Sequence, residues 1–281
     1  MTDQQMSFVD RLALERVDRD IFSGWCHAGA PLRAFGGQVA AQALVAAGTT
    51  IDEGERHVHS LHAYFLRPGR TADPIVYLVD RPHDGRSYTT RRVRAVQYGE
   101  TIFTLSASFA VPEEGLVHQP EPLDLPSPMD CPPAVFSWLQ DANDGEVATL
   151  EMRTVDPEAV SQATAGQFDG GIWLRSARLP DDSLTHACAL TYCSDLQLAG
   201  SALRKHVAPD GSFPRVALAS LDHAMWFHDE FRADEWLLFM QGSPVASSGR
   251  GLNLGQFWTE DGRMVASAVQ ESLIRIRRAN S

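Results

Sequence analysis

The chain carries the same order of predicted elements twice, and this repeat constrains its fold more than any other feature. In each half, a helix rich in small apolar residues precedes a long strand, a hairpin that turns at glycine and a final alternating strand. The helices are predicted over 36–48 and 184–195, and the long strands begin near Val58 and Ser220. Since copies of one design diverge where only one carries chemistry, polar residues found in a single copy are the first candidates for a site.

Two further landmarks align the halves. The pairs His62-Ala63 and His223-Ala224 lie 161 residues apart, and the turn glycines Gly99 and Gly262 lie 163 apart. This nearly constant offset predicts that the two halves share one topology, with His62 and His223 at matching places.

The strand pattern predicts antiparallel sheets. Residues 102–109 alternate apolar and hydroxyl side chains, as a strand with one face on a core does. The turns at Gly85 and Gly99 are too short for the crossover that parallel neighbours require. The fold class is therefore α+β, with two tandem antiparallel sheets that each wrap around a central helix. The other strands are predicted over 74–79, 87–97, 215–227, 236–241, 249–258 and 264–274.

Length and charge narrow the class of protein. The 281 residues suffice for two domains of roughly 110–130 residues, each with its own core. A net charge of −12 argues against nucleic acid as a partner. No apolar run approaches the roughly 20 residues that span a bilayer, and the first residues lack the basic and apolar regions of a signal peptide. We therefore expect a cytoplasmic protein without membrane insertion.

Several motifs of catalysis are missing from the sequence. Cys26, Cys131, Cys188 and Cys193 show neither metal nor disulfide spacing, which favours buried thiols in a reducing compartment. No Gly-x-Ser-x-Gly elbow supports an acyl-enzyme route, and no His-Glu-x-x-His pattern suggests a catalytic metal. We expect neither a metal nor a cofactor.

A proline-rich stretch separates the halves. Residues 112–133 hold seven of the sixteen prolines, and proline lacks an amide donor and fixes its own φ. This stretch is therefore predicted to be an extended connector. The domain division that follows is an N-terminal domain over 1–112, a connector over 113–149 and a C-terminal domain over 150–281.

Six segments in the same order closely resemble the acyl-CoA thioesterase II family, whose members have two fused hotdog domains. They are Phe35–Leu44, His59–Gly69, Asp84–Val93, Tyr192–Leu196, Leu221–His228 and Val269–Glu271. The likeness covers nearly the whole chain and is weakest in the connector. It implies the double hotdog fold, an acyl-CoA substrate and assembly into a homodimer or homotetramer.

The family's catalytic set is an Asp, a Thr and a Gln that position a water against the thioester carbonyl. By motif these roles fall on Asp195, Ser220 and Gln270, where Ser220 departs from the family's Thr. Serine keeps a hydroxyl donor and acceptor but loses a methyl group. Asp195 would accept the proton of the water, while Gln270 and Ser220 would orient it. The alternatives are that Asp195 caps a loop and that Gln270 is a hydrogen-bonded amide of the core.

Five residues are predicted to bind substrate. Gly36 and Gly37 precede the first helix, where backbone amides could polarise a thioester oxygen, although a plain tight turn is an equal alternative. Arg91 and Arg92 belong to an arginine-rich hairpin that suits the phosphates of coenzyme A, against the commoner alternative of a solvated, carboxylate-paired face. His62 lies within the second family segment. Asp222 and His223 are not expected to form a dyad, because neighbouring strand residues point to opposite faces.

The predicted activity is hydrolysis of medium- to long-chain acyl-CoA to a fatty acid and coenzyme A. Two alternatives stay open at this stage. One is a hydratase or dehydratase of the same fold that acts on enoyl or 3-hydroxyacyl thioesters. The other is a non-catalytic acyl-CoA sensor.

Overall fold

The structure is a computed structural model, and it describes residues 7–26, 33–51, 56–134 and 150–277. Within these ranges, the first half contains two helices and six strands. They are α1 (Phe8–Leu12), β1 (Glu15–Asp18), β2 (Ile21–Gly24), α2 (Gly36–Thr49), β3 (His57–Phe65), β4 (Ile75–Asp84), β5 (Tyr88–Gln97) and β6 (Glu100–Ala110). The helix predicted over 36–48 is confirmed.

The second half repeats this order with short additions. Its elements are β7 (Leu150–Val155), α3 (Pro157–Ala163), β8 (Gly170–Ser176), α4 (Ser183–Ser194), α5 (Ser201–Arg204), β9 (Val216–Ser220), β10 (Asp222–Phe227), β11 (Leu237–Ser247), β12 (Arg250–Thr259) and β13 (Met264–Ile276). The long helix α4 begins where Asp182 caps it, with the Thr185 amide donating to Asp182 Oδ1 at 2.8 Å. The predicted helix and hairpin strands of this half are confirmed.

The strands of both halves form one antiparallel sheet. Its order is β1-β2-β4-β5-β6-β3-β10-β13-β12-β11-β8-β7, with β9 pairing to β13. The two halves join where β3 meets β10, and Ala63 is paired with His223 there. From one end inward the order is β1-β2-β4-β5-β6-β3, and from the other end the equivalent strands follow as β7-β8-β11-β12-β13-β10. The fold therefore has the twofold likeness that the repeat predicts. The predicted α+β architecture, with antiparallel sheets wrapped around central helices, is confirmed, and the two sheets are continuous rather than separate.

The two long helices pack against each other in opposite directions inside the sheet. A β-carbon on Gly37 would lie 2.5 Å from the Tyr192 carbonyl oxygen, and one on Gly48 would lie 2.5 Å from Leu184. Glycine at these two places allows the helix axes to approach closely. The start of α2 thus lies beside the end of α4. Buried residues of both helices, such as Leu44 and Leu190, belong to one apolar core that extends through both halves.

The long strand that was predicted over 215–227 is not continuous, and this prediction was wrong at one residue. Ser220 pairs with Ser272 and Ala224 with Val269, so four steps along one strand match three along β13. The extra residue is a β-bulge at Leu221. The Asp222 carboxylate accepts the Glu271 amide at 2.6 Å beside it. The bulge places Ser220 and His223, three residues apart, on the same face of the sheet.

The first half has the matching bulge in β3, where the register against β6 shifts between Val58 and Ser60. Leu61, 162 residues before His223, faces the helices and is fully buried. His62 points to the outer face and is exposed. The prediction that His62 and His223 match is therefore wrong by one position, since Leu61 is the true counterpart of His223.

The proline-rich connector is extended, as predicted, over the part of it that the structure describes. Between 111 and 134 it forms one 3₁₀ turn at Pro128–Asp130, and 135–149 lies outside the described residues. It crosses the outer face of the second half, where the Trp173 indole donates to the Pro126 carbonyl at 3.0 Å. Leu123 and Leu125 pack there against a second apolar cluster. The exact domain boundaries stay a prediction.

In the part of the chain that the structure describes, four short strands and three short helices were not predicted. They are β1, β2, β7, β8, α1, α3 and α5. Among the described residues, no helix is long and apolar enough to cross a membrane.

Candidate active site

A carboxylate lies where the two long helices meet. Asp195 is the residue at which α4 ends, and it is half-buried. It receives hydrogen bonds from the Gln270 amide at 2.7 Å, from the Ser220 hydroxyl at 3.5 Å and from the Gly37 backbone amide. The structure therefore brings together all three residues that the family motif marks as catalytic, together with both predicted glycines.

The start of α2 forms the other wall of this site. A β-carbon on Gly36 would lie 2.8 Å from Asp195 Oδ2 and 2.9 Å from the Phe65 ring. Glycine is therefore required for the backbone of α2 to approach the carboxylate. The sequence left open which of the two long helices begins at the site. It is α2 of the first half, and its Gly37 amide donates to Asp195 of the second half.

Burial and hydrogen bonds act on Asp195 in opposite directions. Burial raises its pKa to about 6, because a carboxylate loses hydration there. The donors Gln270, Gly37 and Ser220 each lower the pKa and only partly offset the burial. The positive end of the α2 dipole also favours the carboxylate, whereas the end of its own helix opposes it. A carboxyl group with a pKa near neutrality is suited to taking and returning a proton.

Gln270 lies on β13 with its side chain fully buried, directed towards the helices. Its Nε2 donates to Asp195, and its Oε1 has no hydrogen-bond partner among the described residues. A buried amide oxygen without a partner is costly, so it marks a place for a water or a substrate group. It lies on the same amide group that donates to the carboxylate.

His223 belongs to the same cluster and was missed by the sequence analysis as a site residue. Its Nδ1 is 3.1 Å from Gln270 Nε2, and its Nε2 is 2.7 Å from the Ser194 hydroxyl. It is 1% exposed, and burial lowers its pKa to about 4. Asp222 bonds instead to the Glu271 amide, so the two neighbours have different partners, as strand geometry predicts. The signal available in the sequence was the pair Asp222-His223. Because neighbouring strand residues point to opposite faces, one of the two had to face the interior.

The other predicted substrate residues lie elsewhere. His62 is on the outer face of the sheet, with its ring 5.2 Å from that of Trp226. Arg92 is exposed on the same side as Arg94. Arg91 is fully buried, and its guanidinium pairs with Asp84 at 2.6 Å and donates to Thr50. The structure does not bring His62, Arg91 or Arg92 to Asp195, and the guanidinium of Arg91 is engaged within the fold.

The matching place in the first half does not carry the same polar set. Thr50 ends α2 as Asp195 ends α4. Across the sheet, Arg91 pairs with Ala107 where Asn253 pairs with Gln270. By the same registers the counterparts of Ser220, His223 and Gln270 are Val58, Leu61 and Ala107. Arg91 donates to both the hydroxyl and the carbonyl of Thr50, and so it closes the place where a second site would lie.

The four cysteines are buried and form no disulfide. Burial raises the pKa of Cys26 and of Cys193 to about 12, which keeps these thiols protonated. The described residues include no cluster of three or more His, Cys, Asp or Glu side chains with the arrangement of a metal site.

Two antiparallel helices inside one continuous sheet, with a half-buried carboxylate at their junction, define the double hotdog class of protein. The profile described as "Acyl-CoA thioesterase" matches residues 145–273, and that of the "Acyl-CoA thioesterase N-terminal domain" matches 22–110. The chain belongs to the acyl-CoA thioesterase II family, and it is an acyl-CoA thioester hydrolase.

Three similar proteins support this assignment. The acyl-CoA thioesterase II TesB2 of Mycobacterium marinum is 42% identical, with a TM-score of 0.82 over 95% of this chain and 98% of that one. Acyl-coenzyme A thioesterase 8 of Homo sapiens is 35% identical over 95% of this chain and 88% of its own. Acyl-CoA thioesterase 2 of Haemophilus influenzae is 34% identical over 98% of this chain and 99% of its own.

Proposed function

We propose that this hydrolase acts by direct attack of a water that Asp195, Gln270 and Ser220 hold. The water oxygen bonds to the thioester carbonyl carbon while Asp195 takes one of its protons. The tetrahedral intermediate then breaks its carbon–sulfur bond, and the proton on Asp195 passes to the thiolate. The products are a carboxylic acid and the coenzyme A thiol, so the protons balance without any other reactant.

The observation that carries this proposal is the Gln270 amide. One end of it donates to Asp195, and the other end is a buried acceptor without a partner among the described residues. A water that donates one hydrogen to Gln270 Oε1 and the other to Asp195 would satisfy the orphan acceptor and be aligned for deprotonation. The Ser220 hydroxyl would be the third group to contact this water.

Charge that develops on the carbonyl oxygen needs a donor as well. The amide of Gly37 is engaged by Asp195, so we assign this role to the amide of Gly36, in the first turn of α2. Glycine at this place fits the assignment, because a β-carbon on Gly36 would crowd Asp195 Oδ2 at 2.8 Å.

The finer points of the substrate stay proposals. We propose medium- to long-chain acyl groups, since the apolar rings of Phe65 and Phe35 lie beside Gly36 and Gly37. Contacts of coenzyme A with His62, Arg91 and Arg92 stay part of the proposal. A homodimer or homotetramer in the cytoplasm is proposed on the same footing.

The test is thiol release from octanoyl-CoA and palmitoyl-CoA by the wild type and by Asp195→Asn. Because general-base catalysis contributes on the order of 10²–10⁴ in rate, we expect kcat to fall by that factor with little change in KM. Asp234→Asn is the matched control, since Asp234 pairs with Arg232 and should affect stability but not turnover. Unchanged release by Asp195→Asn would move the base elsewhere, and no release by the wild type would favour the hydratase or the sensor.

A further inference from the structure

A chain of hydrogen bonds fixes the direction of each donor around Gln270. The Ser194 hydroxyl lies 2.8 Å from the Thr191 carbonyl, which can only accept, so the serine gives its hydrogen there. Ser194 Oγ therefore accepts from His223 Nε2, at 2.7 Å. In the neutral imidazole the other nitrogen, Nδ1, then carries a lone pair and no hydrogen.

The same logic passes on to Gln270. Its Nε2 is 3.1 Å from His223 Nδ1 and 2.7 Å from Asp195 Oδ1. Both of these atoms are acceptors, so the two amide hydrogens are both used and the amide cannot be turned round without placing its oxygen against two lone pairs. The carbonyl of Thr191 thus decides, through Ser194 and His223, which way the amide of Gln270 faces.

We infer that His223 is a positioning residue for the hydrolysis, which holds the Gln270 amide so that its nitrogen faces Asp195 and its oxygen faces the attacking water. This inference rests on the proposed function of Asp195 and Gln270. His223 touches neither the water nor the thioester, and it acts only through Gln270.

The first half shows that the fold itself does not need this histidine. The counterpart of His223 is the fully buried Leu61, and the counterpart of Gln270 is Ala107. Where the glutamine is absent, an apolar side chain fills the histidine's place. A buried imidazole is costlier to desolvate than leucine, so its presence in the second half requires a reason beyond packing.

Two variants of His223 separate positioning from packing. His223→Leu removes the acceptor and fills the space as the first half does. His223→Asn keeps an acceptor, since its Oδ1 can take the place of Nδ1. We expect His223→Leu to lower kcat by about 10–100-fold with KM within about threefold, because a misplaced water costs rate more than binding. His223→Asn should recover kcat to within about fivefold of the wild type.

The pH dependence of kcat/KM gives a readout that a packing defect would not move. The groups that face Asp195 are Gln270 from β13, Ser220 from β9 and the Gly37 amide from α2. When the amide of Gln270 can turn, its oxygen replaces a donor to Asp195, which disfavours the carboxylate. The acidic limb of the profile, which is the fall of kcat/KM towards low pH, should therefore shift to higher pH in His223→Leu and stay in place in His223→Asn.

A double-mutant cycle tests the route of action. If His223 acts through Gln270, then adding His223→Leu to Gln270→Ala should lower kcat by less than about twofold further. His186→Leu is the control for loss of a buried histidine on another surface. Its Nδ1 accepts the Ala233 amide, and we expect a lower Tm without a shift of the acidic limb.

Three results would overturn the inference: wild-type kcat in a folded His223→Leu, equal losses in the Leu and Asn variants, or losses at His223 and Gln270 that multiply. If His223→Leu does not fold, nitrogen NMR of the wild-type imidazole decides instead. A neutral ring with its hydrogen on Nε2 from pH 5.5 to 8 is expected, and a hydrogen on Nδ1 contradicts the chain of bonds. Full turnover by Asp195→Asn would mean that the proposed function, and not this inference alone, has failed.

Discussion

At the scale of single residues, the surroundings of Asp195 suit the role of base that we propose for it. Three donors favour its charged form, yet burial outweighs them and the pKa rises to about 6. Had the site offered a cation, the carboxylate would have been too stable to accept a proton at neutral pH. Donors supplied only by an amide side chain, a hydroxyl and a backbone group orient the carboxylate while leaving it basic.

This balance predicts the pH dependence of the wild type. In the proposed mechanism hydrolysis requires the charged form of Asp195, so kcat/KM should fall as pH drops below about 6, with a limiting slope of one proton. His223 has a pKa lowered to about 4 and stays neutral over this range, so it should add no second step. The measurement is kcat/KM for octanoyl-CoA from pH 5 to 8.5. A rate that is level down to pH 5 would show that Asp195 does not carry the proton.

At the scale of the elements, the site depends on how closely α2 approaches α4. Gly37 and Gly48 both lie in this contact, but they meet different neighbours. Gly37 faces the backbone oxygen of Tyr192, which cannot move alone, whereas Gly48 faces the end of the Leu184 side chain. The two glycines therefore differ in how firmly they fix the distance between the helices.

We predict that Gly37→Ala destabilises the protein by about 1–3 kcal/mol, because the helices must part, and that kcat falls as the amide leaves Asp195. Gly48→Ala should cost less than half as much and keep kcat, since Leu184 can adopt another rotamer. Gly115→Ala, with nothing within 4 Å of the added carbon, is the control. Urea unfolding and octanoyl-CoA turnover give the two quantities. Equal effects of Gly37→Ala and Gly48→Ala would contradict this account.

The elements also show where sequence reasoning succeeds. The helix α2 was predictable from its length and its small apolar residues, although it is buried on almost every side between Gly37 and Ala47. The strand β6 was predictable because it buries a regular pattern of period two. The strand β8 was not, because it buries almost every residue from Gly170 to Ser176 and so shows no alternation. Short runs of this kind do not distinguish strand from helix or loop.

The residues of the site also divide into those that the sequence reveals and those that it does not. Asp195, Ser220 and Gln270 were found through motifs, but the role of His223 depends on the bulge at Leu221, which leaves no mark in an alternating pattern. Arg91 and Arg92 are adjacent, so one of them had to face inward, and the sequence could not tell which. Only the distant partners Thr50 and Asp84 decide that it is Arg91.

At the scale of the whole molecule, the two halves share their interior. One sheet runs through both by way of β3 and β10, and one core contains residues of both long helices. Neither half would keep its apolar surface covered if the other unfolded. The repeat in the sequence is therefore not a division into independent units.

We predict that the chain unfolds in urea as one cooperative unit. Five of its six tryptophans lie in the second half and the connector, and only Trp25 lies in the first half, so fluorescence reports mainly on the second half. Far-UV circular dichroism reports on the strands and helices of both. The two transitions should coincide in midpoint and slope. Midpoints that differ by more than about 0.5 M would show that the halves unfold separately.

The guanidinium of Arg91, which is buried against Thr50, lies where a second site would be in the first half. The first-half counterparts of Ser220, His223 and Gln270 are the apolar residues Val58, Leu61 and Ala107, and none of these side chains could hold or deprotonate a water. Building a second site in the first half would require an acid, a hydroxyl, a histidine and a glutamine together, and a buried polar group without a partner is costly. Single substitutions would therefore not build a second site there.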